Sequence, residues 1–199
     1  MSLTKLELTR KKVIFPLILV LINAMVFVLN IQWGTENVWQ TFGMKMNEPL
    51  TSRLWTIISA QFIHGDGNHI KGNMAVFAPT ALYLSYKAFK WDNMYWVIPC
   101  IGLAQYAMGT RGIHGGFSGV VFFTITVALI ELFQTKQMRV MDMAFSLWAF
   151  ANVSFIFVLI TPIPGVSFEG HLAGVIAGAL YAIAKNYTLR FNLAIKKKS

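Results

Sequence analysis

Long uncharged runs separated by clusters of charge set the pattern of this chain. Val13–Thr35 carries no charged residue, and neither do Gly72–Tyr86, Asn93–Thr110, Gly112–Ile130, Met143–Phe168 and Gly170–Ala184. A helix that crosses a bilayer needs about 20 mostly apolar residues, within a range of about 17–25. Four runs reach that length alone. The second does so from about Asn68, and the sixth by extending to about Leu189. The pattern predicts an all-α polytopic membrane protein with transmembrane helices at about 13–32, 68–87, 93–110, 117–134, 143–161 and 170–189, in a single domain covering 1–199. The connection from Gln32 to Gly67 is long. It holds Trp33, Trp39, Phe42 and Trp55 and an apolar stretch, Leu54–Ile63, too short to span. Aromatics among scattered polar residues suit a partly helical segment lying in the membrane interface. The other connections are short and require antiparallel neighbours, so the six helices form an up-and-down bundle with one elaborated loop. Pro16, Pro79 and Pro99 fall inside predicted helices, where neighbouring helices can satisfy the freed carbonyls.

Composition agrees with this reading: 56% of residues are hydrophobic and 13% charged, against roughly 25% charged in soluble domains. The net charge of +9 would suggest nucleic acid only if its position were ignored. With a cytoplasmic N-terminus, 13 of the 17 Lys and Arg fall in inner segments, Lys45, Arg53 and Arg111 in outer ones, and Lys71 within a helix. That bias follows the positive-inside rule and predicts both termini cytoplasmic, in the plasma or inner membrane, with the basic residues serving topology and lipid headgroups rather than nucleic acid. The apolar stretch after Lys5, Arg10, Lys11 and Lys12 is too long for a signal peptide and lacks a small-x-small cleavage site, so it reads as a retained anchor. Cys100, the single cysteine, fits no intrachain disulfide or metal spacing and reads as a small core hydrophobe.

With that topology, three helices start at the outer face carrying polar residues at one depth: His69 and Asn73 on the second, Ser118 on the fourth and His171 on the sixth. Polar groups at membrane depth are costly and mark function. His69 and Asn73 are spaced i, i+4, on one helix face. Gly170, Gly174 and Gly178 repeat a small-xxx-small pattern beside His171, and Gly116 and Gly119 flank Ser118, so the fourth and sixth helices can approach closely. A serine hydroxyl needs a base to become a nucleophile, and neutral imidazole near pH 7 supplies one. The start of the fourth helix offers unpaired N–H groups and a positive dipole end to a developing oxyanion. Glu169 is on the wrong helix face to orient His171, so the residues predict a Ser118–His171 dyad, with His69, Asn73 and the Ser118 N–H as candidate oxyanion donors, and no cofactor or metal. Gly116-Phe117-Ser118-Gly119 is not the nucleophile elbow of soluble hydrolases, because Val120 stands where that motif needs glycine.

Three stretches together, His64-Gly65-Asp66-Gly67-Asn68-His69-Ile70-Lys71-Gly72-Asn73-Met74, Gly116-Phe117-Ser118-Gly119-Val120-Val121 and Gly170-His171-Leu172-Ala173-Gly174-Val175-Ile176-Ala177-Gly178, resemble the rhomboid intramembrane serine proteases. The resemblance implies a six-helix rhomboid-like bundle that cleaves transmembrane segments of membrane-protein substrates near the outer face. It implies Ser118 as nucleophile, His171 as general base, and His69, Asn73 and the Ser118 N–H as the oxyanion hole. It also implies His64 as a supporting residue and Phe122 as the aromatic that stacks on the catalytic histidine. The chain departs from the family pattern at Lys71, where an apolar residue is usual, at Ala78-Pro79-Thr80, which lacks the usual glycine and acidic residue, and at Arg53-Leu54-Trp55, where Trp and Arg are usually adjacent. Thr161–Glu169, with Pro162, Pro164 and Gly165, reads as a lid over the site. Two other assignments fit parts of the pattern. A non-catalytic rhomboid-like client-binding protein would not need both Ser118 and His171. A haem or metal site using His64, His69, His114 and His171 finds no nearby cysteine and few carboxylates. A specialised processing role would use the same chemistry as general proteolysis.

Overall fold

The structure is a computed structural model that describes residues 3–109, 111–153 and 167–196. Among these, eight α-helices carry the fold: α1 (Leu3–Trp33), α2 (Thr35–Phe42), α3 (Thr56–Ser59), α4 (Gly67–Tyr86), α5 (Met94–Met108), α6 (Ser118–Phe133), α7 (Val140–Ala151) and α8 (Phe168–Lys196). Helices α1, α4, α5, α6, α7 and α8 correspond to the six apolar runs. Only the Val13–Trp33 part of α1 has both the length and the composition of a spanning helix among the described residues. α6 and α7 are apolar but shorter, at 16 and 12 residues. The expected fifth helix, 143–161, is described only to 153, where α7 covers Val140–Ala151; the rest of it, and 161–166 of the expected lid, lie outside the described residues. Pro16, Pro79 and Pro99 all sit inside helices.

The long first connection is partly helical, as expected, but it also holds a feature its pattern does not announce. Met44–Lys45 (β1) pairs antiparallel with Ile113–His114 (β2), Met44 opposite His114. This two-residue ladder clips the first loop to the segment leading into Ser118. Arg53 reinforces it by donating to the carbonyls of Gln40 and Thr41, and Ser59 Oγ donates to the Phe42 carbonyl at 2.9 Å.

α6 is the central helix. Ser118–Ile125, Val127 and Ala128 are all buried, whereas α1, α5 and α8 each leave large apolar side chains exposed on one face. Cys100 belongs to such a face: it is exposed on α5 rather than packed in the core, correcting the sequence expectation. Contact between α6 and α8 runs along glycines. A Cβ on Gly174 would collide with the Gly119 carbonyl oxygen, and one on Gly178 would come within 2.9 Å of the Phe123 carbonyl oxygen. In lipid there is little hydrophobic drive between helices, so packing of this kind holds them together. At the far end of the bundle Asp142 locks α7 to α4. It accepts from the Tyr83 hydroxyl at 2.8 Å, from Lys87 Nζ at 2.9 Å and from the Arg139 N–H at 2.9 Å, and the Tyr83 and Phe145 rings stack at 4.1 Å.

Gly174→Ala is expected to force α6 and α8 apart, at a cost of about 1–3 kcal/mol. It should lower the melting temperature of the detergent-solubilised protein by several degrees. Gly67→Ala, whose Cβ would meet only Phe27 at an ordinary 3.7 Å, should leave the melting temperature near wild type.

Candidate active site

Several stretches of chain meet where α4, α6 and α8 begin. Asp66 caps α4, its carboxylate accepting from the Asn68 N–H at 2.7 Å and the His69 N–H at 2.8 Å. These backbone donors hold its carboxyl below the usual range. One turn apart on α4 follow His69 and Asn73. Asn73 is buried and donates its amide to His64 Nε2 at 2.9 Å, and the His64 ring meets that of His69 edge-on with centroids 5.0 Å apart. Burial, and secondarily the nearby His69, lowers His64 from 6.5 to about 4. The ring is therefore neutral near pH 7 and can accept from Asn73, which keeps a second amide N–H for another acceptor. The His64 carbonyl in turn accepts from Asn30 Nδ2 on α1 at 2.7 Å.

Ser118 is the first residue of α6, so its N–H belongs to the first turn, which has no intrahelical acceptors. The preceding glycine has two reasons to be one. Gly116 has φ +131°, and a Cβ there would lie 3.3 Å from His69 Nε2 and 3.7 Å from Ser118 Oγ. The His69 imidazole and the Ser118 hydroxyl thus converge over Gly116. α8 brings His171 to the same place. A Cβ on Gly119, next to Ser118, would lie 3.0 Å from the carbonyl oxygen of Gly170, next to His171. One turn along α6, the Phe122 ring packs against the His171 ring, tilted 37° to it with centroids 4.5 Å apart. Ser118 is 8% exposed and His171 2%. The sequence-predicted residues Ser118, His171, His69, Asn73, His64, Phe122, Gly116, Gly119 and Gly174 therefore gather at one end of the bundle. Lys71 is exposed.

A second set of polar residues, not singled out from sequence, tethers this end of α8. Ser167 Oγ accepts from the Gly170 N–H at 3.2 Å, an N-cap bond, and also from Gln105 Nε2 at 3.0 Å; His114 Nδ1 lies 3.1 Å from it. Gln105 Oε1 accepts from buried Gln61 Nε2 at 3.0 Å. The start of α8 is thus fastened to α5, to the turn before α4 and to β2. The signal was present: Asn30, Gln61 and Gln105 are amides in or beside apolar runs, where burial demands a partner. Of the four histidines, His64 and His69 meet edge-on, while His114 is engaged by Ser167 and by the Arg111 carbonyl at 2.8 Å. No group of three His, Cys, Asp or Glu arranged to hold a metal occurs among the described residues.

An all-α membrane protein with a buried serine and histidine on facing helix starts is the class this fold and site define. The Rhomboid domain model matches residues 51–187, and the chain belongs to the rhomboid family. A comparison with curated proteins finds no match.

The depressed His64 value carries a pH dependence. Between about 4 and 6.5 the unfolded chain binds a proton that the folded one refuses, so this contribution is complete above the upper value and is lost as pH falls toward the lower one. Melting temperature in detergent should drop from pH 7 to pH 5, and His64→Asn, which does not titrate there, should flatten that slope. An equal slope in the variant would assign the effect to other groups.

Proposed function

We propose that this rhomboid-family protein is an intramembrane serine endopeptidase that cleaves transmembrane segments of membrane-protein substrates near the outer face. The observation that carries the reading is the meeting of the Ser118 and His171 helix starts across the glycine contact of α6 and α8, with Phe122 packed against His171 and His69 beside the serine. Ser118 Oγ attacks the scissile carbonyl while His171 takes its proton; the tetrahedral oxyanion is held by the Ser118 N–H, His69 and the second Asn73 N–H. His171 returns the proton to the leaving amine. Water, deprotonated by the same imidazole, then releases the acyl group from Ser118. Hydrogen bonding within a helix shields its peptide bonds, so substrates should carry helix-weakening residues and a small residue at the cut. Six membrane spans, both termini cytoplasmic and residence in the plasma or inner membrane complete the proposal, supported by the six apolar runs and the charge bias.

Purified protein in detergent should label with a fluorophosphonate probe at Ser118 and cleave a transmembrane reporter. Ser118→Ala and His171→Ala should each abolish labelling and lower cleavage at least about 10³-fold, and Asn73→Ala should lower kcat about 10- to 10³-fold with labelling retained. Folded wild type that neither labels nor cleaves would replace the protease with a client-binding relative.

A further inference from the structure

The end of the bundle opposite Ser118 and His171 holds a cleft of about 530 Å³ between the ends of α4 and α6, the start of α7 and the side of α8. Its volume lies in the range of small-ligand pockets, about 300–1,000 Å³. Glu131, on its wall, is 13 residues after Ser118 on α6, about 20 Å along the helix. Four cations face the cleft, Lys87, Lys136, Arg139 and Lys185, against two acids, Glu131 and Asp142. Both acids are already engaged. Asp142 takes Lys87 at 2.9 Å, and Glu131 takes Lys185. Lys87 is further committed to Thr135 Oγ1 at 2.6 Å. Lys136 and Arg139 are exposed, and neither has an acidic side chain within 4.0 Å among the described residues. The cleft therefore presents two unneutralised positive charges.

Large apolar side chains adjoin its lining residues in the chain: Phe133, next to Gln134, is 85% exposed and Val140, next to Arg139, 75% exposed. Large apolar side chains beside uncompensated cations suit a ligand that is anionic at one end and hydrocarbon at the other. We propose that this cleft binds the headgroup of an anionic glycerophospholipid, its phosphate held by Arg139 and Lys136 and its acyl chains lying along Phe133 and Val140. A guanidinium can hold phosphate oxygens in a two-bond fork, and lysine adds a point charge. Basic pockets between membrane helices are suited to such headgroups. A free phosphate ion would use the cations and leave the exposed Phe133 and Val140 without a role.

The site is independent of the protease chemistry, and its test is a binding measurement. Full-length protein in a neutral detergent is titrated with phosphatidylglycerol or phosphatidylcholine of the same acyl chains, and with millimolar inorganic phosphate, reading melting temperature and the masses of retained lipid adducts. Phosphatidylglycerol should raise the melting temperature and remain bound; phosphatidylcholine and inorganic phosphate should do neither. Lys136→Gln with Arg139→Gln should weaken phosphatidylglycerol binding about tenfold and leave fluorophosphonate labelling unchanged. Lys90→Gln, which removes an exposed charge at the same end but outside the cleft, should leave binding intact. Equal stabilisation by phosphatidylcholine, or undiminished binding in the double variant, would overturn the proposal. So would stabilisation by inorganic phosphate equal to that by phosphatidylglycerol, which would make the cleft a simple anion site.

Discussion

The close approach of α6 and α8 is the constraint on which the rest of the structure depends. A membrane interior offers helices little hydrophobic reason to associate, so two helices held in a fixed relation need contact between their backbones. Gly119, Gly174 and Gly178 allow that contact, and a Cβ at any of them would meet a carbonyl oxygen of the neighbouring helix at 3.0 Å or less. Because the contact is backbone to backbone, the first turns of the two helices are fixed relative to one another with few rotatable bonds between. Ser118 and His171 sit on those turns. A hydroxyl and an imidazole positioned through flexible side chains in a looser interface would spend little time in a reactive arrangement.

The two ends of the bundle solve the problem of buried polarity differently. Near Ser118 most supporting groups are neutral: amides of Asn30, Asn73, Gln61 and Gln105, the Ser167 hydroxyl and the neutral His64 ring, with the Asp66 carboxylate at the start of α4 the exception. Each of these bonds also ties together elements distant in sequence, so satisfying the polar groups and assembling the site are one event. At the other end, near the expected membrane surface, full charges are used. Asp142 is satisfied by three donors, and Glu131 joins α6 to α8 through Lys185. Partial access to water lowers the desolvation cost of ion pairs there, and leaves Lys136 and Arg139 open to headgroups.

Much of this was legible in the chain because the bilayer restricts what a sequence can do. Spanning segments must be helical and apolar, so the apolar runs marked where the main helices lie: α4, α5 and α6 match within two residues, whereas α1 begins ten residues earlier and α8 runs seven residues further than expected. Polar residues at membrane depth stood out against that background, which is why Ser118, His171, His69 and Asn73 were identifiable, and the positive φ and close contacts at Gly116 account for the glycine beside them. Phe122 was legible only through its likeness to a family position, since an aromatic in an apolar helix carries no signal of its own.

Other features depended on tertiary structure. Pairing of Met44–Lys45 with Ile113–His114 joins segments almost 70 residues apart through backbone atoms alone, and backbone atoms carry no side-chain code. The partners of Gln61, Gln105 and Ser167 were equally hidden: an amide in an apolar run declares that it needs a partner, while packing decides which one. Cys100 shows the converse limit, for a small apolar residue on a membrane helix suits the core and the lipid face alike, and only the rotation of α5 places it outward. The sequence determined which segments are helices and what chemistry their polar residues can carry, because solvent and bilayer act on residue type directly. Tertiary structure alone decided which faces meet, because that depends on the summed packing of neighbours far apart along the chain.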